Sequence, residues 1–233
     1  MDTNQFVLVQ GMDATKATLR RWNDNPWPVL RGWFVWSLIT TAGLLLAVYV
    51  VARVSQPDPS RLVLPGVNAP VQTGDITHLL FRNSLVLALH AMACVAGFIA
   101  GSSIPQQAAE RSGFSRKLHE RAGTFAIGFV VCATIFSLTT QAYALGNALT
   151  TLASQFGMPQ WKLLLGILPH AVPELTALFL PLAAWVIASR RGRWEELLAA
   201  TLATVAIAVP VLLASAFVEL YVSPELIISL AGG

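Results

Sequence analysis

Five long apolar runs, separated by shorter polar segments, dominate the hydrophobic pattern of the chain. Each run has about 20 residues or more, the length that an α-helix needs to cross the hydrocarbon core of a bilayer. The pattern therefore predicts an all-α polytopic membrane protein, a bundle of about five transmembrane helices. The predicted spans cover residues 33–52, 84–104, 122–145, 163–189 and 197–222.

The polar segments at the two ends divide the chain into three parts. Residues 1–32 mix apolar and basic positions, which favours a cytoplasmic segment with a helix lying on the membrane surface. Residues 33–222 hold the transmembrane bundle. Residues 223–233 open with Ser-Pro-Glu, which is typical of a helix start and predicts a short interfacial helix.

The composition excludes a soluble globular domain. The chain is 55% hydrophobic and only 12% charged, whereas about 25% of the residues of a soluble domain are charged. The mean hydropathy of +0.62 agrees with a membrane protein. Cys94 and Cys132 fall within predicted spans, so we expect free, small apolar side chains there and no disulfide.

The basic residues predict the orientation of the spans. Eleven Lys and Arg residues lie in segments 1–32, 105–122 and 190–196, and four lie in the segments on the opposite side. Because cytoplasmic loops carry an excess of basic residues, the N-terminus is predicted to be cytoplasmic and the C-terminus outside. The net charge of +3 therefore reflects orientation, and no nucleic-acid partner is expected.

Five polar side chains inside the predicted spans are the candidate functional residues. An ionisable or polar group in hydrocarbon is costly, so each of them needs a partner or a function. In the predicted orientation all five fall in the outer half of the bundle or near its middle, which predicts an intramembrane polar cluster. The five are His90, Gln141, His170, Glu174 and Glu219.

The fourth run carries the strongest of these signals. His170 and Glu174 are four residues apart and would share one face of a regular helix. Pro169 and Pro173 each lack an N–H and crowd the preceding turn, so the fourth span is expected to be broken or kinked. A helix that restarts near Pro173 would place Glu174 at the positive end of a helix dipole. Broken helices of this kind line substrate and ion sites in transporters.

Three interpretations of the polar cluster stay open. It could fix the register of the helices, form a transport or gating site, or hold a metal ion in an intramembrane enzyme. The sequence lacks a His-Glu-x-x-His motif, a nucleophile elbow and a phosphate loop, so we expect no enzyme and no cofactor. The alternatives are a metal-dependent enzyme and an ion- or proton-coupled transporter that uses His170 and Glu174.

Three segments carry a family resemblance. Residues 168–175 read Leu-Pro-His-Ala-Val-Pro-Glu-Leu, residues 214–224 read Ala-Ser-Ala-Phe-Val-Glu-Leu-Tyr-Val-Ser-Pro, and residues 81–85 read Phe-Arg-Asn-Ser-Leu. They resemble, respectively, the Pro-His-Gly-x-x-Glu, Ala-x-Phe-x-Glu-x-x-x-(Thr/Ser)-Pro and Asn-Asn segments of the stage II sporulation protein M family of integral membrane proteins. Ala171 and Ser84 depart from that pattern. The family-motif positions outside the polar cluster include Asn83, Pro169 and Pro173.

The resemblance implies a component of the prokaryotic plasma membrane that works in a multi-protein complex as a non-catalytic scaffold or permease-like subunit. The named family member anchors peptidoglycan-remodelling partners during spore engulfment, and broader relatives are linked to ATP-driven transporters. The implied partners are the lipid bilayer and a membrane or cytoplasmic protein, such as a transporter ATPase or a cell-wall-remodelling protein. A homo-oligomer is a further alternative.

Overall fold

A computed structural model describes the backbone of residues 7–103 and 113–232, and the side chains of residues 11–101 and 127–232. The described residues form helices and turns without a β-strand, so the predicted all-α fold class is confirmed. The helices are α1 (Val7–Asp24), α2 (Trp27–Val54), α3 (Thr73–Phe98), α4 (Gly113–Gln155), α5 (Gln160–Arg191), α6 (Leu197–Tyr221) and α7 (Ser223–Gly232). A π-helical turn (Ile99–Ser103) follows α3, and a 3-10 turn (Trp194–Glu196) precedes α6.

Five helical stretches of the described chain are long and apolar enough to cross a membrane. This agrees with the five predicted spans, although the helices extend further than the apolar runs. For example, α2 begins at Trp27, before the predicted start at residue 33, because Pro28 is tolerated in the first turn of a helix. The stretches are Trp27–Val54, Thr73–Gly101, Ile127–Gln155, Gln160–Arg191 and Trp194–Gly232.

Of the two alternatives predicted for the fourth span, a break or a kink, the break is wrong and the kink stays a prediction. Helix α5 is continuous from Gln160 to Arg191 and passes through both Pro169 and Pro173. Each proline removes only one N–H from the helical hydrogen-bond ladder, and both prolines are exposed, where their rings do not disturb the packed face of the helix. Glu174 consequently lies in the interior of a helix and not at a helix N-terminus.

The chain divides into two compact units, and each unit takes part of every long helix from α2 to α6. The first unit consists of Met1–Ser37, Leu87–Thr134 and Phe179–Ile207, and the second of Leu38–Val86, Ile135–Leu178 and Ala208–Gly233. The described parts of two predicted inner segments, 1–32 and 190–196, belong to the first unit. The loops predicted to lie outside, 53–82 and 146–162, belong to the second.

In the first unit, one face of α1 packs against protein. Its buried residues recur at helical spacing, at Gly11, Thr15, Thr18 and Trp22. The Trp22 and Trp33 rings meet edge to face with their centroids 5.2 Å apart. They form a core with Leu180, Ala184, Ala199 and Ala200. The N-terminal helix therefore has a protein-packed face that the sequence alone did not predict.

Glu196 joins α1 to the segment between α5 and α6. Its carboxylate accepts hydrogen bonds from the guanidinium groups of both Arg21 and Arg193. The Glu196 side chain is only 9% exposed, so these two cations balance a nearly buried charge. Helix α5 ends just before this point at Gly192, whose φ of +66° permits the left-handed turn that closes a helix.

In the second unit, the segment between α2 and α3 is held against α4. The backbone N–H of Asp58 donates to the Thr151 hydroxyl at 3.0 Å, and Gln155 Nε2 donates to the Ser60 carbonyl at 2.9 Å. The Ser60 backbone N–H donates to Asp58 Oδ1 at 2.7 Å, and this bond to the charged form lowers the pKa of the Asp58 carboxyl. This loop continues toward Leu64, which lines the cavity described next.

Candidate functional site

A cavity of about 240 Å³ lies within the second unit. Most of its wall is apolar and comes from leucine, isoleucine and valine side chains of α2, α4 and α5. One part of the wall is polar and comes from α3, α5, α6 and the start of α7. The polar residues are Arg82, Asn83, His170, Glu174, Glu219 and Ser223.

Helical geometry places two of these polar groups on one wall. His170 and Glu174 stand one turn apart on α5, so both project from the same face of that continuous helix. Pro169 and Pro173 are exposed and lie about a quarter turn around α5 from that face. This arrangement explains how a proline-rich segment presents an imidazole and a carboxylate to a protein cavity.

His170 bonds to Ser223 and not to either glutamate. Its Nδ1 lies 2.7 Å from the Ser223 hydroxyl oxygen, which is buried at the beginning of α7. This hydrogen bond links α5 to α7 across 53 positions of sequence. It orients the imidazole and leaves Nε2 as the ring nitrogen that a bound group would meet.

Among the described residues that line the cavity, the two glutamates are accompanied by one guanidinium, that of Arg82. The two carboxylates carry like charges and Arg82 carries the opposite charge. No ion pair within 4 Å joins Arg82 to either carboxylate in the part of the chain that the structure describes. The carboxylates are therefore only partly compensated by protein charge.

Asn83 completes the polar wall beside Glu174. Asn83 Nδ2 and Glu174 Oε2 are both buried, and the Asn83 amide interacts with the Glu174 carboxylate although neither atom makes a hydrogen bond of regular geometry among the described residues. A buried donor and acceptor that pair imperfectly lose part of the free energy of a hydrogen bond. Together they supply the wall with one hydrogen-bond donor and one acceptor.

The cavity brings together three of the five predicted polar residues, namely His170, Glu174 and Glu219. Gln141 does not line it, and its Nε2 donates instead to the Ser137 hydroxyl of the same helix at 3.0 Å. His90 belongs to the first unit, where it is buried with its ring centroid 5.4 Å from that of Phe179. The predicted cluster is thus smaller than expected.

Arg82 and Ser223 join the site although neither was a candidate residue. Arg82 is exposed and near the start of its span, where charge is common, so its type and position carry no signal of their own. The sequence at Ser223 is typical of a helix cap, a pattern that gives no sign of a role in the cavity. The available signal was the family resemblance, since both residues lie inside segments that carry it.

Metal ligands do not converge at this cavity. Within the described residues, no group of three His, Cys, Asp or Glu side chains is placed to hold a metal ion. The cysteines are free, with Cys94 buried and Cys132 exposed. The Cys94 thiol donates to the Pro181 carbonyl at 3.1 Å within the first unit, away from the residues that line the cavity.

The five long apolar helices define a multi-pass helical membrane protein. The parts of these helices that belong to the second unit line a partly polar cavity. A model of the family described as Stage II sporulation protein M matches residues 114–224 of the chain. The match confirms the resemblance found in the sequence. It includes His170, Glu174, Glu219 and Ser223, whereas Asn83 lies before it. No curated protein and no solved structure matches the chain.

Proposed function

We propose that this protein is a non-catalytic, permease-like subunit of a membrane complex whose cavity binds a small cation. The observation that carries the proposal is the convergence of Glu174, Glu219 and Asn83 on one cavity with a single compensating cation, Arg82. With both carboxylates ionised, the formal charge of these groups is negative. A bound cation or proton would neutralise it, and the low dielectric of a membrane interior strengthens that attraction.

The size and the walls of the cavity narrow the class of ligand. A volume of about 240 Å³ lies below the range of roughly 300–1,000 Å³ that is typical of pockets for drug-sized molecules. The largely apolar wall disfavours a large polar solute. We therefore infer an inorganic monovalent cation, a proton or a small alkylammonium ion as the bound group.

Membership in a complex is the second part of the proposal. It rests on the resemblance of the motif segments to a family whose named member anchors other proteins. A transporter ATPase or a cell-wall-remodelling protein is the proposed partner, and the proposed setting is a prokaryotic plasma membrane with the N-terminus in the cytoplasm. In this arrangement the partner supplies energy or chemistry, and this chain supplies the binding cavity.

Ligand-induced stabilisation tests the cavity directly. The detergent-purified protein is heated in sodium, potassium and butylammonium chloride and at several pH values, with ionic strength held constant by a bulky organic salt. We expect one cation, or protonation, to raise the unfolding temperature of the wild type, and Glu174→Gln/Glu219→Gln to abolish this rise. Gln141→Ala is the matched control, because Gln141 is a polar span residue that does not line the cavity.

A pure scaffold gives a different result. In that case no cation and no pH change stabilises the wild type selectively, while a partner protein still co-purifies from native membranes with both the wild type and the double variant. That outcome would reject the permease-like part of the proposal and support the part that places the protein in a complex. An equal response of wild type and double variant to a cation would show that the cation binds elsewhere.

A further inference from the structure

A second pocket lies within the first unit, where α1, α2, α5 and α6 come together, and it has a basic part and an apolar part. The basic part has a volume of about 40 Å³, and its lining includes Arg191 and Arg193. The apolar part is a groove of about 180 Å³ between α1 and α2. Trp22, Val29 and Trp33 line both, so the two parts adjoin each other at these side chains.

The basic part carries a net positive charge. Glu196 also lines it, but its carboxylate is already paired with Arg193 and with Arg21 from α1. Arg191 adds a further guanidinium to this group. The two arginines that line the pocket, together with Arg21 beside Glu196, outnumber its one carboxylate, so the pocket is complementary to an anion. Guanidinium groups also match the geometry of phosphate oxygens.

Trp22 adds a hydrogen-bond donor. Its side chain is 8% exposed, and its indole Nε1 is buried without a hydrogen-bond partner among the described residues. A buried indole N–H usually finds an acceptor. An anionic oxygen held in this pocket would supply that acceptor, and Arg191 and Arg193 line the same pocket.

We propose that this pocket binds an anionic phospholipid, with the lipid phosphate at Arg191 and Arg193 and part of one acyl chain in the groove between α1 and α2. The apolar groove directly beside the basic part favours a lipid over a free phosphate ion, which would use only the basic part. The ends of apolar helices, where Trp and Arg residues meet, are also where lipid headgroups lie. This site is separate from the cation cavity and does not depend on its function.

Native mass spectrometry tests the proposal on the delipidated full-length protein. Dioleoyl phosphatidylglycerol and dioleoyl phosphatidylcholine are titrated separately, and the concentration at which half of the protein carries one lipid is compared. We expect phosphatidylglycerol to bind the wild type more tightly. Arg191→Gln should weaken that binding roughly five- to tenfold, as expected for the loss of one charged contact.

Two further variants and a matched control sharpen the result. Trp22→Phe keeps an aromatic ring but removes the indole N–H, and Arg191→Lys keeps the charge but removes the planar fork. Each should weaken phosphatidylglycerol binding less than Arg191→Gln does. If Arg191→Gln does not fold, these two variants still test the proposal. Arg20→Gln is the control, because Arg20 is an exposed cation on α1 that does not line either part of the pocket.

Three outcomes would overturn the proposal. The first is equal binding of the two lipids by the wild type. The second is an Arg20→Gln variant that loses as much affinity as Arg191→Gln, which would indicate general attraction to a charged surface. The third is stabilisation of the wild type by inorganic phosphate equal to that by phosphatidylglycerol, which would indicate a soluble anion.

Discussion

His170 Nδ1 and the Ser223 hydroxyl oxygen lie 2.7 Å apart and join the two segments that carry the most specific family resemblance. One segment contributes the imidazole from the middle of α5, and the other contributes the hydroxyl from the first residue of α7. The two segments that resemble the family therefore meet in the structure through this hydrogen bond. This contact orients an imidazole at the wall of the cavity.

Replacing Ser223 with Ala should therefore destabilise the protein. The change leaves His170 Nδ1 without its partner in a half-buried site, so the free energy of unfolding should fall by about 1–3 kcal/mol. Unfolding in detergent micelles measures this change. Ser229→Ala is the control, since the exposed Ser229 hydroxyl donates only to the Leu226 carbonyl of its own helix. Equal effects of the two substitutions would contradict the assigned role.

Pro173→Ala should stabilise the protein. Helix α5 is continuous, so alanine restores one helical N–H and removes the crowding of the ring, a gain of up to about 3 kcal/mol. Pro224→Ala should instead destabilise, because Pro224 is buried and occupies the first turn of α7, where proline is favourable. Thermal unfolding of both variants measures the two signs. A loss of stability in Pro173→Ala would mean that the proline is needed in α5.

Glu196→Gln should loosen α1. The change removes the charge that pairs with Arg21 and Arg193, which is a loss of about 1–3 kcal/mol for hydrogen bonds to a charged group. Hydrogen exchange of the α1 amides should become faster, while the exchange of α7 should stay the same. Glu195→Gln is the control, because Glu195 is the adjacent but exposed acid. If α1 exchanges at the wild-type rate in Glu196→Gln, the pairing does not hold the helix.

The orientation of the spans is testable by cysteine labelling in a background that carries Cys94→Ala and Cys132→Ala. Ser60→Cys lies in the exposed loop between α2 and α3, and Asp24→Cys lies at the end of α1. A membrane-impermeant maleimide should label Ser60→Cys in intact cells and Asp24→Cys only after permeabilisation, because basic segments stay in the cytoplasm. The opposite pattern would reverse the predicted orientation.

The sequence by itself determined the class of this protein, the number of its long helices and the family that residues 114–224 match. Each of these follows from a local property of the sequence. An apolar run of about 20 residues, for example, is long enough as a helix to cross the hydrocarbon core of a bilayer. The family motifs are also local, and the segments around His170 and Glu219 lie inside the matched region.

Only the tertiary structure decided which polar residues meet. His90 and Gln141 have the same sequence signal as Glu219, yet neither lines the cavity, whereas the unremarked Arg82 does. The reason is that a residue's depth along its helix can be estimated from sequence, but the rotation of each helix about its axis depends on packing against distant segments. The continuity of α5 through Pro169 and Pro173 depends on packing in the same way, since those prolines are tolerated where their rings lie on the exposed face.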